Sequence, residues 1–131
     1  MRAAMPAPLE RMLKGSPTDS MEVAKEMVGD KVHVDHALLA QLSRDKHLGR
    51  WPRIAAIYAL GLVGERELAG VLRDVLSDRT DDLKVREHAA EALGNIGDRD
   101  SLSLLHDVLA SERSAKLRHS CKYAIRELGT L

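Results

Sequence analysis

Apolar side chains fall on one stripe of a helix along VREHAAEALGNIGD, residues Val85 to Asp98. Val85, Ala89, Ala92, Leu93 and Ile96 step by four, three, one and three, which follows the 3.6-residue period of an α-helix. Alanine on that stripe lets a neighbouring helix come close. Gly97 stands where a left-handed residue would end the helix, and Asp98 follows as a candidate N-cap acceptor for a second one. The stretch therefore predicts a helix, a tight turn and another helix.

The register repeats along the chain. Thirty-three residues upstream the same five positions read Pro52, Ala56, Ala59, Leu60 and Val63, followed by Gly64 and Glu65; thirty-two downstream they read Leu117, Cys121, Ala124, Ile125 and Leu128, followed by Gly129. A degenerate copy holds Ala24, Val28, Gly29 and Asp30, with Lys25 breaking its stripe. The glycines at 29, 64, 97 and 129 thus mark the ends of four such helices. The second helices repeat too. Ala69, Val71, Leu72, Val75 and Leu76 match Leu102, Leu104, Leu105, Val108 and Leu109, and Leu38 and Leu42 match Leu72 and Leu76. The pairs are expected at about 18–48, 50–78 and 83–111, with half a unit over 115–131.

Helix pairs carrying VR..AA.ALG.IGD before a leucine-rich helix resemble HEAT repeats, in particular the short HEAT-like repeats of phycobilin lyase subunits. The resemblance covers roughly residues 18–131 and is clearest over 52–111. It implies an all-α fold, a right-handed α-α superhelix or HEAT-like solenoid of about three and a half helix-pair repeats, with a concave face made mostly by the second helices. It says little about function, since one fold hosts many tasks.

Composition agrees with helix-on-helix packing. The chain has no Phe and only Trp51, Tyr58 and Tyr123 as aromatics, so Leu, Ala, Val and Ile must build the core. Its 131 residues suit one domain. Residues 1–17 read as an N-terminal arm and possible cap, in which Leu9, Met12 and Leu13 face the array before Gly15, Ser16 and Pro17 break the helix. Asp19 or Thr18 is expected to cap the next helix, with Glu22 completing a capping box. Twenty basic and twenty acidic side chains cancel, which argues against a partner held mainly through phosphates. A single cysteine allows no internal disulfide, and no stretch reads as a signal peptide or membrane span. A cytoplasmic protein without membrane contact is the expectation.

Candidate chemistry is sparse. Arg53, Arg86 and Arg118 share one register, and the HEAT resemblance implies a ladder in which each meets an Asp or carbonyl near the end of the preceding helix; Asp45, Asp78 and Glu112 are the candidates. Cys121 replaces an alanine of the stripe, so its thiol is expected buried and inert, and His119, two residues away, points elsewhere. His33 and His36, with Asp35 and His47, are the best metal candidates, but solvated polar residues account for them as well. The repeats are also similar to those of deoxyhypusine hydroxylases, whose His-Glu pairs hold two irons. Here the order is reversed in Glu87-His88, and the neighbouring repeats read His119-Ser120 and Ile54-Ala55, too few ligands for such a site. No catalytic, metal or cofactor site is expected.

Binding is the remaining option. On the second helices Leu39, Arg73 and His106 share a register, with Ala40, Asp74 and Asp107 beside them, and are expected to face a protein partner from the concave side. Arg118, Lys122 and Arg126 form an i, i+4, i+8 basic stripe on the final helix, either a solvated outer face or a nucleic-acid contact. The reading is a non-catalytic interaction or scaffold module, with an accessory subunit of a lyase-type enzyme as the alternative. It is expected as a monomer, or as a homodimer through a terminal face near Tyr123.

Overall fold

A computed structural model describes residues 5–14, 19–29 and 34–129, which form eight α-helices and no strand. In order they are α1 (Ala7–Leu13), α2 (Ser20–Val28), α3 (His36–Arg44), α4 (Arg50–Val63), α5 (Ala69–Ser77), α6 (Leu83–Ile96), α7 (Leu102–Ser111) and α8 (Ala115–Gly129). Single 3-10 turns, Arg66–Leu68 and Arg99–Ser101, lead into α5 and α7.

The caps explain most boundaries. Asp19 accepts from the Met21 N–H at 2.7 Å and Asp35 from Ala37 at 3.0 Å, while Asp82 accepts from Val85 at 3.1 Å. Thr18 lies outside the described residues. Gly64 and Gly97 end α4 and α6 with φ of 73° and 79°, a conformation that glycine adopts without a steric penalty. Gly29 closes α2 in extended backbone and Gly129 is the last residue of α8, so the four glycines mark equivalent helix ends but share no single turn. Asp98 does not cap α7 with its side chain. It is buried and accepts instead from Arg73 Nη1 at 2.7 Å.

The stripes read from the sequence are the core. Val85, Ala89, Leu93, Ala56, Ala59, Leu117, Cys121 and Ala124 are all fully buried. Burying a Leu or Ile contributes about 1.5–3 kcal/mol each. On α1, Leu9 is buried and Met12 packs on the core, but Leu13 remains half exposed.

Packing phases the pairs differently from the expected units. Each of α4, α6 and α8 lies closest, among the second helices, to the one before it, so the hairpins are α3–α4, α5–α6 and α7–α8. The loops at 45–49, 78–82 and 112–114 fold each helix back on its predecessor, whereas the 3-10 turns after Gly64 and Gly97 send the chain away to the next pair. With α7 as its partner, α8 is not half a unit.

Helices α2, α4, α6 and α8 stack directly on one another, while α3, α5 and α7 touch only sparingly. A stack that is tight along one row and splayed along the other bends toward the tight row. The α2/α4/α6/α8 row therefore lies on the inner side, and the expected concave face of second helices is the outer one.

Arginines tie the pairs together. Arg53 donates Nε to the Ser43 carbonyl at 3.1 Å and Arg86 donates Nε to that of Leu76 at 3.0 Å. The carbonyl half of the expected ladder is therefore present. The carboxylates come from the opposite side, because the terminal nitrogens reach forward to the next inter-helix loop. Arg53 meets Asp81 there, and Arg86 meets Glu112 at 2.9 Å. Asp45 instead accepts from the His47 N–H, and Asp78 pairs with Lys46.

Candidate functional site

The six residues expected to form a binding strip do not form one. Leu39 is fully buried and Ala40 is 5% exposed, because α3 is covered by both α4 and α5. Arg73 is held by Asp98. Asp74, His106 and Asp107 remain exposed on the splayed outer row.

The other candidates separate as well. His33 lies outside the described residues. His36 Nδ1 is 2.7 Å from Glu65 Oε1, and Asp35 is engaged as the cap of α3. Among the described residues no three His, Cys, Asp or Glu side chains are grouped so as to hold a metal ion. Burial pushes the Cys121 thiol up to about 11, far from the thiolate a nucleophile needs.

On α8, Arg118 keeps the inner half of the ladder, donating Nε to the Leu109 carbonyl at 3.2 Å, and it is exposed. Lys122 and Arg126 are exposed too, at the register of buried Ala90 and Gly94. A Cβ on Gly94 would lie 2.8 Å from Ala124 Cα, so α6 carries small residues where a helix stacks closely. Long cations at the same places give α8 a polar outward face.

The inner row carries a groove that the sequence analysis did not single out. Tyr58 on α4, Glu91 on α6 and Tyr123 on α8 share one register, 33 and 32 residues apart, and with Met21, Asn95 and His119 they line about 340 Å3. Spacing alone could have found the three. They fall two positions past Ala56, Ala89 and Cys121 of the buried stripe, on the edge of the helix that faces out.

Glu91 is the centre of the arrangement. Its Oε1 accepts from Ser120 Oγ at 3.1 Å, and its Oε2 lies 3.3 Å from His88 Nδ1. That nitrogen is within ion-pair reach but off the line of a hydrogen bond, and it is buried without another partner. His88 beside it, opposed by burial, holds Glu91 below the ordinary carboxylate range. The His88 ring packs on Tyr58 with centroids 4.8 Å apart. Tyr123 donates its hydroxyl to Asn95 Oδ1 at 2.6 Å, which fixes that ring against α6. Both tyrosine hydroxyls are pushed up, first by burial and then by carboxylates: Glu91 and Asp19 at Tyr58, Glu127 and Glu91 at Tyr123. The groove offers two tyrosine rings, one carboxylate, one imidazole and one side-chain amide.

No described helix is long and apolar enough to cross a membrane. Known proteins agree with the architecture. A structure of human deoxyhypusine hydroxylase in complex with glycerol superposes with a TM-score of 0.64 at 24% identity, over 85% of this chain and 36% of that one. The likeness shows the fold, and the chain spans about a third of that enzyme's length. No curated protein sequence matches the chain. HEAT repeats match residues 36–126, from the start of α3 into α8, which covers the three hairpins described above; the chain belongs to the HEAT repeat family.

Proposed function

We propose that this protein is a non-catalytic interaction module that holds a protein partner against the inner row of α2, α4, α6 and α8. The observation that carries the reading is the shared register of Tyr58, Glu91 and Tyr123, which sets one groove across three successive hairpins. A surface laid over several repeats suits an extended partner, and tyrosine adds contact area with few rotors to immobilise. Trp51 and Leu62, both about half exposed on α4, add apolar surface to the same helix. Its reactive groups are quenched: the thiol is buried, and the reversed Glu87-His88 pair turns to Lys84 and Glu91.

Affinity capture from the source cell with quantitative mass spectrometry tests this. Proteins retained by the native chain should be lost from the Tyr58→Ala, Tyr123→Ala double variant and kept by His106→Glu on the outer row. Retention by the double variant with loss from His106→Glu would move the binding face to the second helices.

A further inference from the structure

We infer that the Glu91 groove seats a cationic side chain, a guanidinium or ammonium carried by a basic peptide segment of the partner. This rests on the interaction reading above and names the chemistry of its occupant. Glu91 stands in one register between two tyrosines, so a cation entering the groove meets a carboxylate flanked by two aromatic rings. Ring faces attract cations by their negative π-surface, and a carboxylate strengthens a hydrogen bond from either type of cation.

The geometry leaves Glu91 free to accept. Ser120 occupies one lone pair of Oε1, His88 lies off-line from Oε2, and the side chain keeps 35% of its surface. A carboxylate has about four acceptor sites. Asp19 and Glu127 add to the field of Glu91 at the two hydroxyls, and His119 and the charge of Lys84 oppose it in part. Asn95 gives its carbonyl to Tyr123, which leaves its amide N–H groups to donate to an acceptor such as a peptide backbone. An acidic segment would be drawn elsewhere, to Arg118, Lys122 and Arg126 on the outward face of α8.

The test is a titration of the full chain, followed by amide NMR, with a capped tetra-arginine peptide and separately with a capped tetra-glutamate peptide. Tetra-arginine should shift the amides around Tyr58, Glu91, Asn95 and Tyr123 and saturate. Glu91→Gln, which can still accept from Ser120, should weaken it by about tenfold, while Tyr58→Phe, which keeps the ring face, should stay within about threefold. Shifts scattered over all exposed carboxylates, unchanged affinity in Glu91→Gln, or tetra-glutamate in the groove would each overturn the inference. If the cellular partner is lost from the Tyr58→Ala, Tyr123→Ala variant but kept by Glu91→Gln, the interaction reading survives and the cationic occupant does not.

Discussion

Arg53 and Asp81 face each other through two parallel hydrogen bonds, Nη1 to Oδ1 at 2.7 Å and Nη2 to Oδ2 at 2.8 Å, with both side chains 4% exposed. With Nε on the Ser43 carbonyl, one guanidinium joins the α3–α4 hairpin to the loop of the next. The fork of Arg suits this bidentate use, which Lys could not copy.

Removing one member should be costly, because the other is left as a buried, unpaired charge. Arg53→Ala or Asp81→Ala should cost about 3–5 kcal/mol in urea unfolding, and Arg118→Ala, an exposed rung with a carbonyl alone, under about 0.5 kcal/mol. Equal losses at Arg53 and Arg118 would remove the ladder from the stability of the array.

The same pair sets an acid limit. Hydrogen bonds from Arg53, opposed by burial, hold Asp81 below the ordinary carboxylate range in the folded protein. Its contribution is therefore complete above the unfolded carboxyl value of about 3.9 and is lost as pH falls through the lower folded value. The stability gap between native protein and Asp81→Asn should be constant above about pH 5 and shrink below about pH 4. A gap that widens on acidification would contradict the assignment.

Two helical glycines should respond with opposite sign to alanine. At Gly61 the added Cβ meets Ala92 Cβ at 3.6 Å, an ordinary contact, so the gain in helix propensity should stabilise by about 0.5–1 kcal/mol. At Gly94 it meets Ala124 Cα at 2.8 Å and Cβ at 3.2 Å, which forces α8 away from α6 and should cost about 1–3 kcal/mol. Thermal unfolding of both variants checks this, and equal signs would mean that α4–α6 and α6–α8 do not differ in closeness.

Cys121 offers a probe of local opening. With its thiol raised to about 11 and fully buried, alkylation at pH 8 should run roughly 100-fold or more below a free thiol and recover in urea. Rapid labelling of the native protein would place the thiol at the surface.

The buried stripes were legible in the sequence because period and repetition agree: Val85, Ala89 and Leu93 return as Ala56, Leu60, Leu117 and Cys121 in the core. The pairing phase was not, since every helix has a neighbour on each side in sequence and an apolar stripe does not say which of them packs closer. That ambiguity also misplaced the ladder. The Arg register was plain, but Asp45 lies in the loop just before α4 and Asp81 in the loop of the next hairpin, and only the direction of the Arg53 side chain decides between them. Leu39 and Ala40 share the register of Arg73 and Asp74, which predicts exposure; α3 is covered by two helices, and the wider contact buries both. Tyr58, Glu91 and Tyr123 are hard to see in the sequence because their types differ while their register does not.

The most direct measurement of the central reading is site-specific photo-crosslinking in the source cell, with p-benzoylphenylalanine placed in turn at Leu62 and His119 on the inner row and at Asp74 and His106 on the outer one. The same partner adduct should form from Leu62 and His119 and be absent from Asp74 and His106. Adducts from the outer pair alone would contradict a partner held on the α2/α4/α6/α8 face.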